Sequence, residues 1–292
     1  MSQARQYSKA TMFILSFVGS FLVMGFMIVF LLLRMTAPLP QQSPSPTLPG
    51  TVYLPTAADR LTLFGVVEGS GLGGDTFVLL GFYPDIGYMP VTVLPRQLGL
   101  NSTTLQQLYR EKGLKQTALA LEETFGIAID RTAAASASGF SALMDRLGGV
   151  DFRLPLRLED SATGLVLAAG LHRFDGAKFL AVMNFSAWPG GEVQRCSLTA
   201  ALLTQTINHH LTAVLGGDAE NLFKSAVNAC TATDLTALDY EAYLPAARFM
   251  ARLKSSPGQA LELSGSFNAG GVFSPDAAGV ELLHNTYKRA DA

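Results

Sequence analysis

Gly73-Gly74-Asp75-Thr76-Phe77-Val78-Leu79-Leu80-Gly81-Phe82-Tyr83-Pro84-Asp85 and, just beyond it, Tyr88-Met89-Pro90-Val91-Thr92-Val93-Leu94-Pro95-Arg96 form the stretch from which the fold is read. Two apolar runs flank a Pro/Asp/Gly turn, and both are too apolar to be wetted on either face. They read as antiparallel neighbours in the middle of a sheet. Each carries one charged residue at an end, Asp75 before the first strand and Arg96 after the second. A short turn between antiparallel strands brings those two ends to the same rim. A carboxylate and a guanidinium at one rim suit a metal ion and an anion. A surface ion pair at a sheet edge is the plainer alternative, and the stretch leaves both open.

Outward from this hairpin, Leu61-Thr62-Leu63-Phe64-Gly65-Val66-Val67 reads as a first buried strand. The glycine-rich loop after it leads into a strand instead of opening a helix, and no phosphate-loop lysine follows. It is therefore not a dinucleotide fingerprint. Residues 101–113 carry Leu105, Leu108 and Tyr109 at helical spacing, and 114–125 carry Leu119, Leu121 and Phe125, with Gly126 as the stop. A short strand is expected to begin at Ile127-Ala128-Ile129-Asp130. An amphipathic helix follows from Phe140 to Leu147, closed by Gly148-Gly149, and then a strand from Val150 to Pro155. This alternation predicts an α/β fold, an α-β-α sandwich with helices on both faces of a central mixed β-sheet.

The chain has 292 residues, enough for one large domain or two small ones. With 49% apolar and 15% charged residues it is neither disordered nor highly charged. A net charge of −2 gives no bulk attraction to a phosphate backbone, so nucleic acid is not an expected partner. His172, His209, His210 and His284 show no HExxH-type spacing. His209-His210, on a leucine- and alanine-rich helix, reads as core edge or solvent.

Met12–Leu33 is apolar except for Ser16, Gly19, Ser20 and Gly25, long enough at ~1.5 Å per residue to span a bilayer core. A cleaved signal peptide would have an apolar region of about 7–15 residues and a small-residue cleavage site. Here the run is longer, and Thr36-Ala37 is followed by Pro38. Arg5, Lys9 and the terminal amine precede the span and only Arg34 follows closely, which sets the bulk of the chain outside the cell. The expected organisation is a cytoplasmic segment 1–11, a single-pass membrane anchor 12–33, a proline-rich extracellular linker 34–56 and a folded domain 57–292.

No CxxC occurs among the residues, and an extracellular domain is where disulfides persist. Cys196 precedes a helix expected from Ser197 to Leu215, and Cys230 follows one expected from Asp218 to Ala229. Antiparallel packing of those helices about Leu215-Gly216-Gly217 would bring the thiols toward each other, so a Cys196–Cys230 disulfide is expected.

Six segments in order carry a family resemblance. They are Gly74-Asp75-Thr76-Phe77-Val78-Leu79, Leu94-Pro95-Arg96, Phe125-Gly126-Ile127, Gly139-Phe140 through Val150-Asp151, Gly170-Leu171 through Leu180-Ala181, and Gly190-Gly191-Glu192-Val193-Gln194-Arg195. They run from residue 74 to 195 and resemble the LytR–CpsA–Psr family, extracytoplasmic ligases of bacterial envelopes, a resemblance that covers about residues 60 to 290. The resemblance implies transfer of a glycopolymer from an undecaprenyl-pyrophosphate carrier onto peptidoglycan at the membrane. It implies an apolar tunnel for the lipid tail, arginines for the pyrophosphate, and a divalent cation, Mg2+ or Mn2+, held by carboxylate. By position, Asp75 matches the metal-side aspartate. Arg96 and Arg195 match catalytic, phosphate-binding arginines, and Glu192 stands where the family has a ligand-side aspartate.

The departures concern charge. Gly73 stands where an arginine is usual, Val67 and Gln97 where aspartates are, and Asn184 and Ser186 where two arginines are. Leu198 and Thr199 replace a closing Arg-Gln pair. Loss of one charge-stabilising donor costs on the order of 100–1,000-fold in rate, and several are replaced. The sequence thus points to a divergent member, weak or inactive in catalysis, that keeps a lipid-linked ligand. An active phosphotransferase and a membrane-anchored scaffold of wall assembly are the other readings. An apolar tunnel favours the first two and a side-chain-filled core favours the third.

Overall fold

The computed structural model describes residues 53–69, 74–160, 164–253 and 255–289. The expected anchor at 12–33, and the linker as far as residue 52, lie outside the described residues. In chain order the strands discussed below are β1 (Leu61–Glu68), β2 (Thr76–Phe82), β3 (Met89–Leu94), β4 (Arg131–Ser136), β5 (Val150–Leu154), β6 (Gly170–Phe174), β7 (Cys230–Thr233) and β8 (Gly258–Leu261). The helices are α1 (Leu105–Phe125), α2 (Ala137–Leu147), α3 (Gly176–Asn184), α4 (Gly191–His210), α5 (Ala219–Asn228), α6 (Ala237–Arg252) and α7 (Ala277–Tyr287).

Six strands form one mixed sheet in the order β7-β4-β1-β2-β3-β8. β1, β2 and β3 are an antiparallel meander, with Val67 opposite Thr76 and Phe77 opposite Leu94. β4 runs parallel to β1 and β8 parallel to β3, while β7 closes the far edge antiparallel to β4. The central hairpin is the one expected from its two apolar runs.

The period-2 alternation of each strand divides its residues between two cores. Phe64, Val66, Phe77, Leu79 and Leu94 point to one face, where α1 and α7 cover them with Leu105, Leu121, Phe125, Leu283 and Tyr287. Val91 and Val93 pack on the other face beneath Cys196 and Ala200 of α4, and Phe82 and Met89 beneath Ala246 and Met250 of α6. A further core joins α2, α3 and the β5–β6 pair through Phe140, Phe174, Phe179 and Trp188. Thr92 is a polar residue fully buried in mid-strand, and its hydroxyl is satisfied at 2.9 Å by the phenol of Tyr287. The last described helix is thereby pinned to the sheet centre.

Several boundaries differ from the sequence expectation. Residues 101–104 are not helical: Gly99–Leu100 pairs with Thr103–Thr104, and α1 starts at Leu105 behind the Thr104 cap. The two expected helices are halves of one element, broken at Gly113, whose φ of 75° takes it out of helical geometry. Leu119, expected on the apolar face, is 46% exposed. Ile127–Asp130 is not yet strand, because Ala128 N–H donates to Tyr287 O and Asp130 N–H to Thr62 O. The ladder begins at Arg131. β5 pairs with β6 as a separate two-stranded ribbon outside the six-stranded sheet.

The expected Cys196–Cys230 disulfide is corrected: both thiols are free. Cys196 packs against Val91 and Val93 of β3, whereas Cys230 pairs with Ala135 of β4 at the opposite edge. β7 and β3 are four strand spacings apart, roughly 19 Å, far beyond the ~7 Å Cα separation a bridge can span. A 3-10 segment at Leu211–Leu215 stands between the two helices, so they are not joined by the tight Leu215-Gly216-Gly217 turn alone. Burial pushes the Cys196 thiol up to about 12, so it is an inert core group.

Leu79 has no exposed surface and sits at the centre of the α1–α7 core. Leu79→Ala is expected to destabilise the domain by about 2–5 kcal/mol, read as a lower denaturant midpoint at unchanged m-value.

Candidate functional site

The antiparallel turn does bring Asp75 and Arg96 to one rim, and α4 adds Glu192 and Arg195 there. The contacts are not those of a simple Asp–Arg pair. Arg96 donates from Nε to the Asp75 backbone carbonyl at 2.8 Å, and from one Nη to the carbonyls of Gly74 (3.0 Å) and Met183 (2.9 Å). Its other Nη lies 3.9 Å from the Glu192 carboxylate. This close approach needs Gly74: a Cβ there would sit 2.7 Å from Arg96 Nε.

Arg195 is 1% exposed, and all five of its N–H groups have partners. Nε and one Nη donate to both oxygens of Glu192 at 2.7 and 2.6 Å, and that Nη also reaches Cys196 Sγ at 3.5 Å. The remaining Nη donates to Met183 O at 3.1 Å and Thr76 Oγ1 at 3.3 Å. Met183 O therefore receives both guanidiniums. Glu192 also accepts from the Arg96 backbone N–H at 2.9 Å. Burial pushes the Glu192 carboxyl up, but the hydrogen bonds and charge of Arg195, with those of Arg96, outweigh it and hold the carboxyl below its usual range. Burial, reinforced by Arg195, lowers Arg96 to about 10.

Asp75 faces the other way, toward α1. Its carboxylate accepts from Gly69 N–H at 3.0 Å and Gln106 Nε2 at 2.7 Å, with Arg110 Nε at 3.4 Å. The β1–β2 register ends with Val67 opposite Thr76, so Glu68 and Asp75 are the next residues at that end of the two strands. Glu68 accepts from the Tyr109 phenol at 2.8 Å and from Thr231 Oγ1 at 3.0 Å. Burial, then the bond to Glu68, raise the Tyr109 phenol above its ordinary range and keep it a donor. Among the described residues no trio of His, Cys, Asp or Glu side chains is grouped to hold a metal ion.

Sequence reasoning missed Glu68, Gln106, Tyr109 and Arg110. A carboxylate was sought at Val67, one residue too early. Gln106, Tyr109 and Arg110 were taken only as helix, although their i, i+3, i+4 spacing places them on one face. Of the positions where the resemblance would put other residues, Asn184 ends α3 and Ser186 lies two residues beyond it, whereas Leu198 and Thr199 are buried in α4. Gly73 lies outside the described residues.

Below the rim, the α4 face of the sheet is hollow over β1, β2 and β4. A cavity of about 470 Å³ lies between β1, β2 and β4 on one side and α2, α4 and α5 on the other. Leu63, Gly65, Val67, Val78, Leu80, Ala133 and Ala135 form its floor. Leu143, Leu147, His210, Ala226 and Leu235 border both it and a second apolar chamber of about 380 Å³ that continues toward α6. Thr76, which touches Arg195, is two residues, roughly 7 Å, up β2 from the cavity residue Val78. Charged rim and apolar hollow are thus consecutive along one strand.

Residues 75–256 match the LytR_cpsA_psr family. A comparison with curated proteins gives no match. Among solved structures, the LytR-Csp2A-Psr enzyme from Actinomyces oris aligns at TM-score 0.61 and 22% identity, covering 82% of this chain and 93% of its own. B. subtilis TagV aligns at TM-score 0.63 and 18% identity, over 78% of this chain and 95% of its own. TagT bound to LIIa-WTA aligns at TM-score 0.61 and 18% identity, over 80% and 93%. At these identities the likeness is one of fold.

Glu192 supplies a pH test. Its folded carboxyl is held below the ordinary 4.5, so its stabilising contribution is complete above that value and is lost as pH falls through the lower folded value. Glu192→Gln should remove this part of the acid-unfolding slope. At pH 7 it should also destabilise by roughly 3 kcal/mol, because Arg195 stays buried without its counter-charge. Denaturant melts of both proteins across pH 3–7 measure the two effects.

Proposed function

This chain belongs to the LytR_cpsA_psr family, and from that premise we propose that it is an extracytoplasmic cell-envelope protein that holds a polyprenyl-phosphate-linked glycopolymer and transfers it weakly or not at all. The observation that carries this reading is the apolar cavity leading up to the charged rim. An apolar void forfeits dispersion contacts with every side chain that lines it, and a lipid tail restores them. The hollow follows from small residues, Gly65, Ala133, Ala135, Ala226 and Ala229, at positions facing the helices. It favours a lipid-binding protein over a scaffold with a filled core. That a relative of the same fold, TagT, has been captured bound to LIIa-WTA supports the same assignment.

The rim supports weak catalysis. Phosphoryl-group transfer needs N–H donors directed at the charge developing on the leaving pyrophosphate. Arg195 has no N–H left for that task, and Arg96 has only the Nη facing Glu192. In this reading Asp75, Arg96, Arg195 and Glu192 remain the site residues, the two arginines acting chiefly as framework. A divalent cation, Mg2+ or Mn2+, would be held by Asp75, since such ions take one or two carboxylates plus phosphate oxygens. It would neutralise pyrophosphate charge. Residues 1–11, 12–33 and 34–56 serve as cytoplasmic segment, membrane anchor and linker. Peptidoglycan is the acceptor for whatever transfer survives.

Gly65 tests the cavity. A Cβ there meets nothing closer than 3.9 Å, so a larger side chain enters the hollow without striking backbone. Gly65→Phe is expected to abolish undecaprenyl-phosphate binding by the full chain in detergent micelles while the protein stays folded. The wild type is expected to bind that lipid yet transfer glycan from a polyprenyl-pyrophosphate donor at least 100-fold more slowly than the Actinomyces oris enzyme. Binding untouched by Gly65→Phe would sink the cavity assignment, and comparable transfer rates would sink the reading of weak catalysis.

A further inference from the structure

The rim holds three guanidiniums, and they differ in what their N–H groups do. Arg195 is saturated by protein acceptors. Arg96 is held by three carbonyl bonds, and its remaining Nη faces Glu192. Arg110 of α1 is 62% exposed, and among the described residues its side chain makes one polar contact, through Nε at 3.4 Å from Asp75 Oδ2. Its Nη groups have no hydrogen bond or ion pair to any described residue. Asp75 thus tethers Arg110 to the rim by one edge and leaves the outer edge of the fork open.

We infer that Arg110 is the phosphate-gripping residue of this site, binding the phosphate or pyrophosphate headgroup of the lipid ligand from the α1 side. The inference rests on the ligand reading above and adds to it a residue the family resemblance does not supply. Its physical basis is the geometry of a guanidinium between two anions. A carboxylate on the Nε side fixes the planar fork, and the two Nη groups then present parallel donors to phosphate oxygens. The neighbouring helix residues brace this arrangement. Gln106 donates to the same Asp75 oxygen at 2.7 Å, and Tyr109 donates to Glu68 at 2.8 Å. Those bonds hold both carboxylates in place beside Arg110, and the break at Gly113 ends this short anchored stretch of α1. Asn184 and Ser186, on the α3 side, carry no charge, so the cation meeting the headgroup comes from across the rim.

The test uses the full chain in detergent micelles with Mg2+, titrated calorimetrically with inorganic pyrophosphate and with undecaprenyl phosphate. Arg110→Ala is expected to weaken pyrophosphate about ten- to hundredfold, the range of a charge-assisted pair. Arg110→Lys should recover part of that loss, because the charge returns without the fork. Lys112→Ala, an exposed cation two residues on, should change nothing. Arg110 is exposed and meets Asp75 through one long contact, while Gln106 and Gly69 still satisfy the buried Asp75 carboxylate, so melting temperature should change little among the variants. Equal pyrophosphate affinity in wild type and Arg110→Ala, with lipid phosphate still bound, would overturn this inference alone. If the wild type binds neither ligand, the inference falls together with the function it rests on.

Discussion

Arg195 carries a permanent charge to a place where its side chain is 1% exposed, and the sheet rim is assembled around it. A charge withdrawn from water must find its compensation in the protein, and here every N–H of the guanidinium does. The partners come from three separated segments: Thr76 at the start of β2, Met183 in α3 and Glu192 one turn back on α4. Arg96 repeats the pattern from the end of β3 and meets Arg195 on the same Met183 carbonyl. Buried ion pairs of this kind contribute little net stability against apolar packing of the same volume. Their effect is positional: four elements distant in sequence are fixed at one rim.

The two faces of the sheet show what side-chain volume does. On the α1–α7 face, Phe64, Phe77 and Leu79 fill the space between strands and helices. On the opposite face the same strands present Gly65, Val67 and Val78, and β4 adds Ala133 and Ala135. The helices cannot close onto them, because α2 and α4 are held off by the third core around Phe140, Phe179 and Leu202. A solid face and a hollow face on one six-stranded sheet thus follow from which residues fall at odd and even positions.

Much of this was legible in sequence. The hairpin of β2 and β3, the first strand, the helix closed by Gly148-Gly149 and the mixed α/β order all come from local apolar patterns and turn residues. Asp75, Arg96, Glu192 and Arg195 could be brought to one rim from motif order alone. The misreadings share a cause. Leu119 lies on the solvent side of a helix kinked at Gly113, and Ile127–Asp130 has its backbone bonded to Thr62 and Tyr287 instead of to a ladder partner. Cys196 and Cys230 were paired by chain proximity of two helices, yet Cys196 packs on β3 and Cys230 lies on β7, four strand spacings away in the sheet.

The amino-acid sequence by itself determined the family, the order of strands and helices and the uncharged residues at Asn184, Ser186 and Gln97, because these depend on residue type and short-range spacing. Only the tertiary structure decided what the charges at the rim do. Whether a guanidinium is free or saturated depends on carbonyls such as Met183 O, which carry no signature in a sequence and are placed by packing. The same holds for Glu68 bonded to Tyr109, for Arg110 reaching in from α1, and for the hollow beneath β1. Each arises where segments far apart in the chain meet, and the distances between them are set by the core.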